Sequence, residues 1–193
     1  MEPEERPDEI LVEEAQSALE GDHRAFEALV HRHQAGVLAN CRYLSGSAEE
    51  AKDLAQEVFV KVYFALPSFE RRSMFKTWVQ RIKINHCLNH IRKRRGKVFL
   101  DADDPKALAA EEMRVEERAT GEVEAGADRA RIRQVLDSLT ETLRIPLILC
   151  DLDGLSYQEA ADELGIGLSA LKMRLKRARE KFREAYGPRR GAV

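Results

Sequence analysis

Residues 156–179 read SYQEAADELGIGLSALKMRLKRAR, and this stretch decides the fold of the C-terminal part of the chain. Ser156, followed three residues later by Glu159, forms a capping-box pattern, which predicts that a short helix begins there. Gly165 can adopt the left-handed conformation that ends such a helix. A longer, basic helix follows this glycine. A short capped helix, a glycine turn and a longer basic helix together predict a helix-turn-helix.

The longer helix has one apolar and one basic side. Leu171 and Leu175 begin an apolar stripe that can hold the helix against the rest of the motif. The opposite side carries cations at helical spacing: Lys172, Lys176, Arg179 and Arg183. Such a face can contact phosphates, and side chains near the start of the helix can reach base edges in a major groove. The alternative interpretation is an ordinary helical hairpin with a solvated charged face.

The remainder of the chain predicts an all-α protein. Ser47 and Glu50 form a second capping box, whose helix ends before Pro67 because proline cannot continue it. Ser73 is the expected N-cap of a further helix that runs to about Arg95. Residues 96–128 lose the helical periodicity and are rich in alanine and acids.

The fold class predicted is therefore two small helical domains joined by a long acidic linker, the second domain being the helix-turn-helix. The expected division is 1–23 for an acidic N-terminal segment with a short helix, 24–95 for the first domain, 96–128 for the linker, 129–186 for the second domain, and 187–193 for a tail.

The net charge of −2 over 193 residues hides a strong segregation of charge. Residues 1–20 carry a net −7 and residues 101–128 a net −7, whereas 81–97 carry +7 and 172–183 carry +6. Two separate basic blocks are typical of phosphate binding. Solvated helix faces balanced by acidic neighbours remain the alternative.

Several classes of protein find no support in the sequence. No apolar run approaches the roughly 20 residues of a membrane helix, and the acidic N-terminus does not resemble a secretory signal. The three cysteines lack CxxC spacing, which favours a reducing, cytoplasmic location. The phosphate-binding and hydrolase motifs GxxxxGK[ST], GxGxxG and GxSxG are absent.

Three local patterns admit two interpretations each. His86 and His90 have the i, i+4 spacing of a zinc pair, but no third ligand follows at a fixed spacing, which favours histidines facing solvent or DNA. The rings of Phe69, Phe75 and Trp78 are either core residues or a surface for stacking unpaired bases, and Phe69, in a loop, is the better candidate for base contact. An acidic cluster that begins at Asp53 either complements its helix dipole or docks a basic partner.

These segments together resemble a bacterial RNA polymerase sigma factor of the extracytoplasmic-function (ECF) group, group 4 of the sigma-70 family. The resemblance extends from about Arg24 to Tyr186. Its motifs, in order, are DLAQEVF at 53–59, FKTWVQRI at 75–82 with RKRR at 92–95, GLSYQEAADELG at 154–165, and RLKRAR at 174–179.

The resemblance implies a promoter-specificity subunit that is not an enzyme and needs no cofactor or metal. Its implied partners are core RNA polymerase (the beta and beta-prime subunits), promoter DNA and an anti-sigma factor, with a free monomer and no membrane insertion. Loop 67–74 would capture a base flipped out of the −10 element, and the linker would thread through the polymerase. The implied polymerase contacts are Asp53, Gln56, Glu57 and Phe59. The implied −10 contacts are Phe69, Lys76, Trp78, Arg81, Lys83, Asn85, His86, Asn89 and Lys93. The implied −35 contacts are Ser156, Tyr157, Ser169, Lys172, Met173, Arg174, Lys176, Arg177 and Arg179.

The chain departs from the family pattern at the start of the recognition helix. The family commonly has Pro-x-Gly-Thr-Val-Lys-Ser-Arg where residues 167–174 read GLSALKMR. Ala170 lacks a hydroxyl, so Ser169 is expected to contact a phosphate or cap the helix in its place. Met173 replaces a small polar residue on the groove side. Lys83 replaces a frequent alanine and is expected to contact a phosphate. The usual −35 sequence therefore does not transfer to this chain.

Two other functions compete with this prediction. A free-standing helix-turn-helix regulator would bind DNA without polymerase, although such proteins usually dimerise and this chain shows no apolar dimer helix. A metal enzyme would use His86 and His90.

Overall fold

The computed structural model describes residues 6–18, 21–95 and 127–187 of the chain. The described residues are almost entirely helical and contain no strand. The chain divides into two compact units, Met1–Asn89 and His90–Val193. The predicted linker lies outside the described residues, except that Ala127 and Asp128 already belong to a helix. None of the described helices is long and apolar enough to cross a membrane.

The first unit is built from α1 (Asp8–Ser17), α2 (Arg24–Ser45), α3 (Ala48–Ala65) and most of α4 (Phe75–Arg95). The predicted cap of α3 is confirmed, because the Ser47 side chain accepts a hydrogen bond from the Glu50 N–H at 3.3 Å. The helix continues into a short 3-10 turn, Leu66–Ser68, where the sequence predicted a loop. Helix α4 begins two residues after the predicted cap, Ser73.

The core of the first unit forms around α2, against which both α1 and α3 pack. Leu29 and Leu44 of α2 are buried, as are Leu54 and Val58 of α3. Cys41 of α2 and Cys87 of α4 are also buried, with their sulfur atoms 3.6 Å apart and no disulfide between them. The first unit therefore has an apolar core to which α2, α3 and α4 all contribute.

The second unit contains α5 (Ala127–Ser138), α6 (Glu141–Leu147), a π-helical turn (Ile148–Leu152), α7 (Tyr157–Leu164) and α8 (Leu168–Tyr186). Pro146 lies in α6, where it has no N–H to donate to the helix. The wider turn follows directly, and in it the Asp153 N–H donates to the Ile148 carbonyl at 2.9 Å. The sequence did not predict this π-helical turn.

Candidate nucleic-acid interface

Helices α7 and α8 form the predicted helix-turn-helix. The capping box is complete: the Ser156 hydroxyl accepts from the Glu159 N–H at 3.2 Å, and the Glu159 carboxylate accepts from the Ser156 N–H at 3.0 Å. Gly165 ends α7 in the left-handed conformation, with φ of 68°. Ala160 and Ala161 are fully buried. Their small side chains allow the two helices to approach closely.

Helix α8 presents an exposed, basic face. Arg183, near the end of this helix, is exposed. In the first half of the helix three cations, Lys172, Lys176 and Arg177, share one face with Ser169 and Met173. At about 100° per residue these five positions cover less than half of the helix circumference. Ser169 does not cap the helix: the N-cap is Gly167, which makes no side-chain cap bond. The capping role expected for Ser169 is therefore wrong, and its hydroxyl is exposed on the basic face.

Arg174 lies on the opposite side of α8 and is only 2 % exposed. Its position is one turn from the buried Leu171 and Ala178, so its side chain projects toward the packed side of the helix. The expected contact between Arg174 and DNA is therefore corrected: this side chain belongs to the interior. A sequence pattern that counts cations does not separate such a residue from its exposed neighbours.

Arg179 is engaged within the second unit. Its guanidinium donates to both carboxylate oxygens of Asp151, at 2.6 and 3.0 Å, and to the Tyr157 hydroxyl at 3.0 Å. The hydrogen bonds to Asp151, and then that to Tyr157, raise the pKa of Arg179 above its ordinary value. Two residues expected to contact DNA, Arg179 and Tyr157, are thus bound to each other, and Tyr157 remains partly exposed.

Helix α4 exposes a second row of polar side chains. Arg81, Asn85, Asn89 and Lys93 are all exposed and succeed one another at intervals of four residues. Residues at this spacing lie above one another on one ridge of a helix. Two amides between two cations offer hydrogen-bond donors and acceptors to bases and positive charge to phosphates. Lys76 is also exposed but lies about 140° around the helix from Arg81.

Lys83 does not belong to this row. It is 2 % exposed and is the largest of the fully buried side chains. Val79 and Cys87, one turn before and one turn after it, are buried as well, so Lys83 falls on the packed ridge of α4. The expected phosphate contact of Lys83 is therefore corrected. The buried ridge of α4 consists of residues at intervals of four: Phe75, Val79, Lys83, Cys87 and Ile91. Because four residues turn a helix by about 400°, this ridge rotates by about 40° at each step.

The aromatic residues near the start of α4 form a packed cluster. The rings of Phe69 and Trp78 stack with centroids 4.5 Å apart, and Phe69 lies 6.2 Å from Phe75. Phe69 is 8 % exposed, so its ring is packed against its neighbours, whereas Met74 in the same loop is 67 % exposed. The core interpretation of Phe69 and Phe75 is the one that the structure supports, and Trp78 is half-buried.

The acidic cluster of α3 lies on the surface. Asp53, Gln56 and Glu57 are exposed, and Phe59 is half-buried beside them. The Glu57 carboxylate lies 2.7 Å from the imidazole Nε2 of His86 on α4. The sequence did not predict this pair, because its members are far apart along the chain and no local pattern joins them. Among the described residues, no group of three or more possible ligands could hold a metal ion.

Comparison with known protein families locates matches in both units. Residues 29–97 match the model of sigma-70 region 2, and residues 129–182 match that of sigma-70 region 4. The two matches together cover more than half of the chain. The first contains the exposed rows of α3 and α4, and the second contains the helix-turn-helix.

Individual relatives extend this similarity to almost the whole length. The chain is 36 % identical to the RNA polymerase sigma-H factor of Pseudomonas aeruginosa, over 94 % of each protein. It is 33 % identical to the ECF RNA polymerase sigma-E factor of Escherichia coli strain K12, over 90 % of this chain and 91 % of the relative. Among solved structures it resembles the sigma factor RpoE in complex with the anti-sigma factor NepR from Bartonella quintana, with TM-score 0.55 and 26 % identity, over 83 % of this chain and 95 % of that one.

Proposed function

We propose specific roles in promoter selection for the surfaces of this chain, which belongs to the sigma-70 family of RNA polymerase sigma factors and, within it, to the ECF group. The chain binds core RNA polymerase and directs it to promoters, and it performs no catalysis of its own. It acts where the polymerase is, in the cytoplasm. The observation that carries the proposal is that one chain exposes both a basic recognition helix and a row of amides and cations on α4.

The exposed face of α8 binds the −35 element. Lys172, Lys176 and Arg177 neutralise phosphates, and Ser169 and Met173 face the base edges. Met173 offers an apolar, adaptable side chain, which suits contact with a thymine methyl group. Ser156 and Tyr157, at the exposed start of α7, contact the backbone of the same duplex. Arg174 and Arg179 are left out of these contacts because one is buried and the other is bound to Asp151.

The exposed row of α4 binds the non-template strand of the −10 element. Asn85 and Asn89 read unpaired bases through their amides, and Arg81 and Lys93 contact phosphates. Loop 67–74 receives a base flipped out of this strand, next to the stacked rings of Phe69 and Trp78. Lys76 adds positive charge beside the loop. His86 supports the row from the side through its contact with Glu57.

The acidic face of α3 binds the polymerase. Asp53, Gln56 and Glu57 offer two carboxylates and an amide to a basic partner, and Phe59 adds an apolar edge. Such charge complementarity sets association rate and partner choice. An anti-sigma factor controls the chain by covering these same faces. A related sigma factor has been solved in complex with the anti-sigma factor NepR, which supports a partner of this kind.

Run-off transcription tests the proposal. Core polymerase is assayed with and without the chain on a library of random upstream DNA. We expect enriched start sites that share two upstream elements, because the two DNA-binding faces read separate sequences. The role would be contradicted if the chain did not stimulate transcription and the immobilised chain did not retain core polymerase. The free-standing regulator would then be the favoured function.

A charge reversal tests the polymerase face. Asp53→Lys should lower the affinity for core polymerase by about tenfold, because it opposes a basic partner with a like charge. Glu9→Lys makes the same change at an exposed site on α1 and should leave that affinity unchanged. Equal affinities for the two variants would remove the α3 face from the proposal.

A further inference from the structure

Helix α1 is bound directly to loop 67–74 and to the turn before it. The Gln16 side-chain amide donates to the carbonyl of Leu66 and to the carbonyl of Phe69, each at 2.9 Å. A glutamine amide nitrogen has two N–H donors, so both are used here. Leu66 is the first residue of the 3-10 turn and Phe69 is the residue that follows it, so Gln16 fixes the point at which the chain leaves α3 and enters the loop.

A second contact reaches further along the loop. Arg71 has φ of 57°, the left-handed region that residues other than glycine seldom occupy. Its guanidinium lies 3.7 Å from the carboxylate of Glu13, which is three residues before Gln16 and hence on the same side of α1. Unfavourable backbone conformations of this kind persist only where surrounding contacts hold them.

Helix α1 is itself anchored independently of the loop. Its own residues Leu11 and Val12 are buried. The Asp8 carboxylate, in its first turn, pairs with Arg32 at 2.6 Å and with His33 at 2.8 Å, both on α2. A rigid helix thus presents Glu13 and Gln16 to the loop. This helix lies before residue 29, where the match to sigma-70 region 2 begins.

We propose that Gln16 is a positioning residue, which holds loop 67–74 in the conformation that captures an unpaired promoter base. The inference rests on the proposed function, since the base comes from the −10 element. Because the loop is already ordered when the base binds, the entropic cost of ordering it does not reduce the binding affinity. Gln16 touches neither DNA nor polymerase in this role; it acts through the backbone of residues 66–69.

Three variants of Gln16 separate this role from simple packing. Gln16→Glu keeps the shape but replaces the donor with acceptors that face two carbonyls, and Gln16→Leu removes all hydrogen bonding at similar size. Gln16→Lys restores a donor. Glu9→Gln, an exposed change on the same helix, is the matched control. In the free chain, hydrogen exchange of the amides in 69–74 should be about tenfold faster in the glutamate variant and near wild type in the lysine variant.

The functional readout uses holoenzyme and promoters with 2-aminopurine placed in turn at each non-template −10 position. The rise in fluorescence at the captured base reports the apparent affinity of the holoenzyme for the promoter. We expect this affinity to be about tenfold lower in the glutamate and leucine variants. Affinity for core polymerase and for a −35 duplex should not change, and Gln16→Lys should recover most of the signal.

The outcomes distinguish the inference from the function on which it rests. Wild-type exchange and wild-type base capture in Gln16→Glu would overturn the inference while leaving the proposed function in place. An equal loss of core binding, −35 binding and base capture would also overturn it, because Gln16 would then serve only stability. Failure of the wild-type holoenzyme to open any promoter would overturn both.

Discussion

The ion pair between Asp151 and Arg179 ties the π-helical turn to the recognition helix, and it changes the chemistry of a neighbouring thiol. Burial raises the pKa of Cys150 above its ordinary 9.0, and the charge of Asp151 raises it further, while Arg179 opposes both effects. The thiolate is the nucleophile in alkylation. Cys150 should therefore react slowly with iodoacetamide at neutral pH, and faster only as the solution becomes more alkaline.

Two substitutions that break this ion pair should act on Cys150 in opposite directions. Asp151→Asn removes a charge that raises the pKa of Cys150, so alkylation at pH 8 should be faster than in the wild type. Arg179→Gln removes a charge that lowers the pKa, so alkylation should be slower. Mass spectrometry of the modified peptide measures both rates. Acceleration in both variants would indicate local opening instead of an electrostatic effect.

Single residues were also where prediction from sequence was weakest. Helical periodicity places Lys83 and Arg174 within a turn of apolar neighbours, but a pattern of residue types assigns every lysine and arginine to the surface. Both side chains are long enough to cross an apolar layer, and the structure buries both. The contact of His86 with Glu57 was equally invisible, since it joins two helices through a tertiary arrangement that no local spacing encodes.

At the scale of elements, the ends of the helices govern the stability of the helix-turn-helix. Ser156→Ala removes the acceptor for the Glu159 N–H and should lower the free energy of unfolding by about 1 kcal/mol. Ser169→Ala makes the same change on an exposed hydroxyl that caps nothing, and should alter stability by less than about 0.5 kcal/mol. Urea unfolding followed by circular dichroism measures both. Similar losses in the two variants would mean that the capping box contributes little.

Two glycines offer a matched comparison with opposite signs. Gly36 lies inside α2, with no atom within 4 Å of an added Cβ, so Gly36→Ala should stabilise the chain by roughly 0.5–1 kcal/mol. Gly165 has equally open surroundings but φ of 68°. Gly165→Ala should therefore destabilise by about 1–2 kcal/mol, through backbone conformation alone. Thermal unfolding of both variants checks the signs; a neutral Gly165→Ala would show that the turn relaxes without cost.

Elements were the scale at which the sequence predicted most. The caps Ser47 and Ser156 and the turn residue Gly165 could be predicted from the sequence, because each acts through backbone groups within three or four residues. The π-helical turn escaped prediction for the opposite reason. Its extra residue is tolerated because Ile148 and Leu149 become fully buried, and that gain depends on the packing of the whole unit.

For the molecule as a whole, the near-neutral net charge should not prevent salt-sensitive DNA binding. The three exposed cations in the first half of α8, Lys172, Lys176 and Arg177, are expected to neutralise one duplex phosphate each. Affinity of the full chain for promoter duplex should then fall roughly 40-fold between 50 and 200 mM salt. Lys172→Ala should reduce the slope of log affinity against log salt by about one, whereas Lys61→Ala on α3 should not. Fluorescence anisotropy across a salt series measures the slopes. A slope that Lys172→Ala leaves unchanged would place the duplex elsewhere.

The π-helical turn has one more consequence, which concerns insertion and deletion. In a regular helix each residue added or removed rotates everything that follows by about 100°. At Ile148–Leu152 the backbone already accommodates one residue beyond the regular repeat, with Asp153 bonded five residues back. A shortened homologue that lost a residue here would regain a regular helix but would turn Asp151 away from Arg179. Such a homologue would need a different contact to hold its recognition helix. We expect the residues that provide this contact to lie next to the deletion in a sequence alignment.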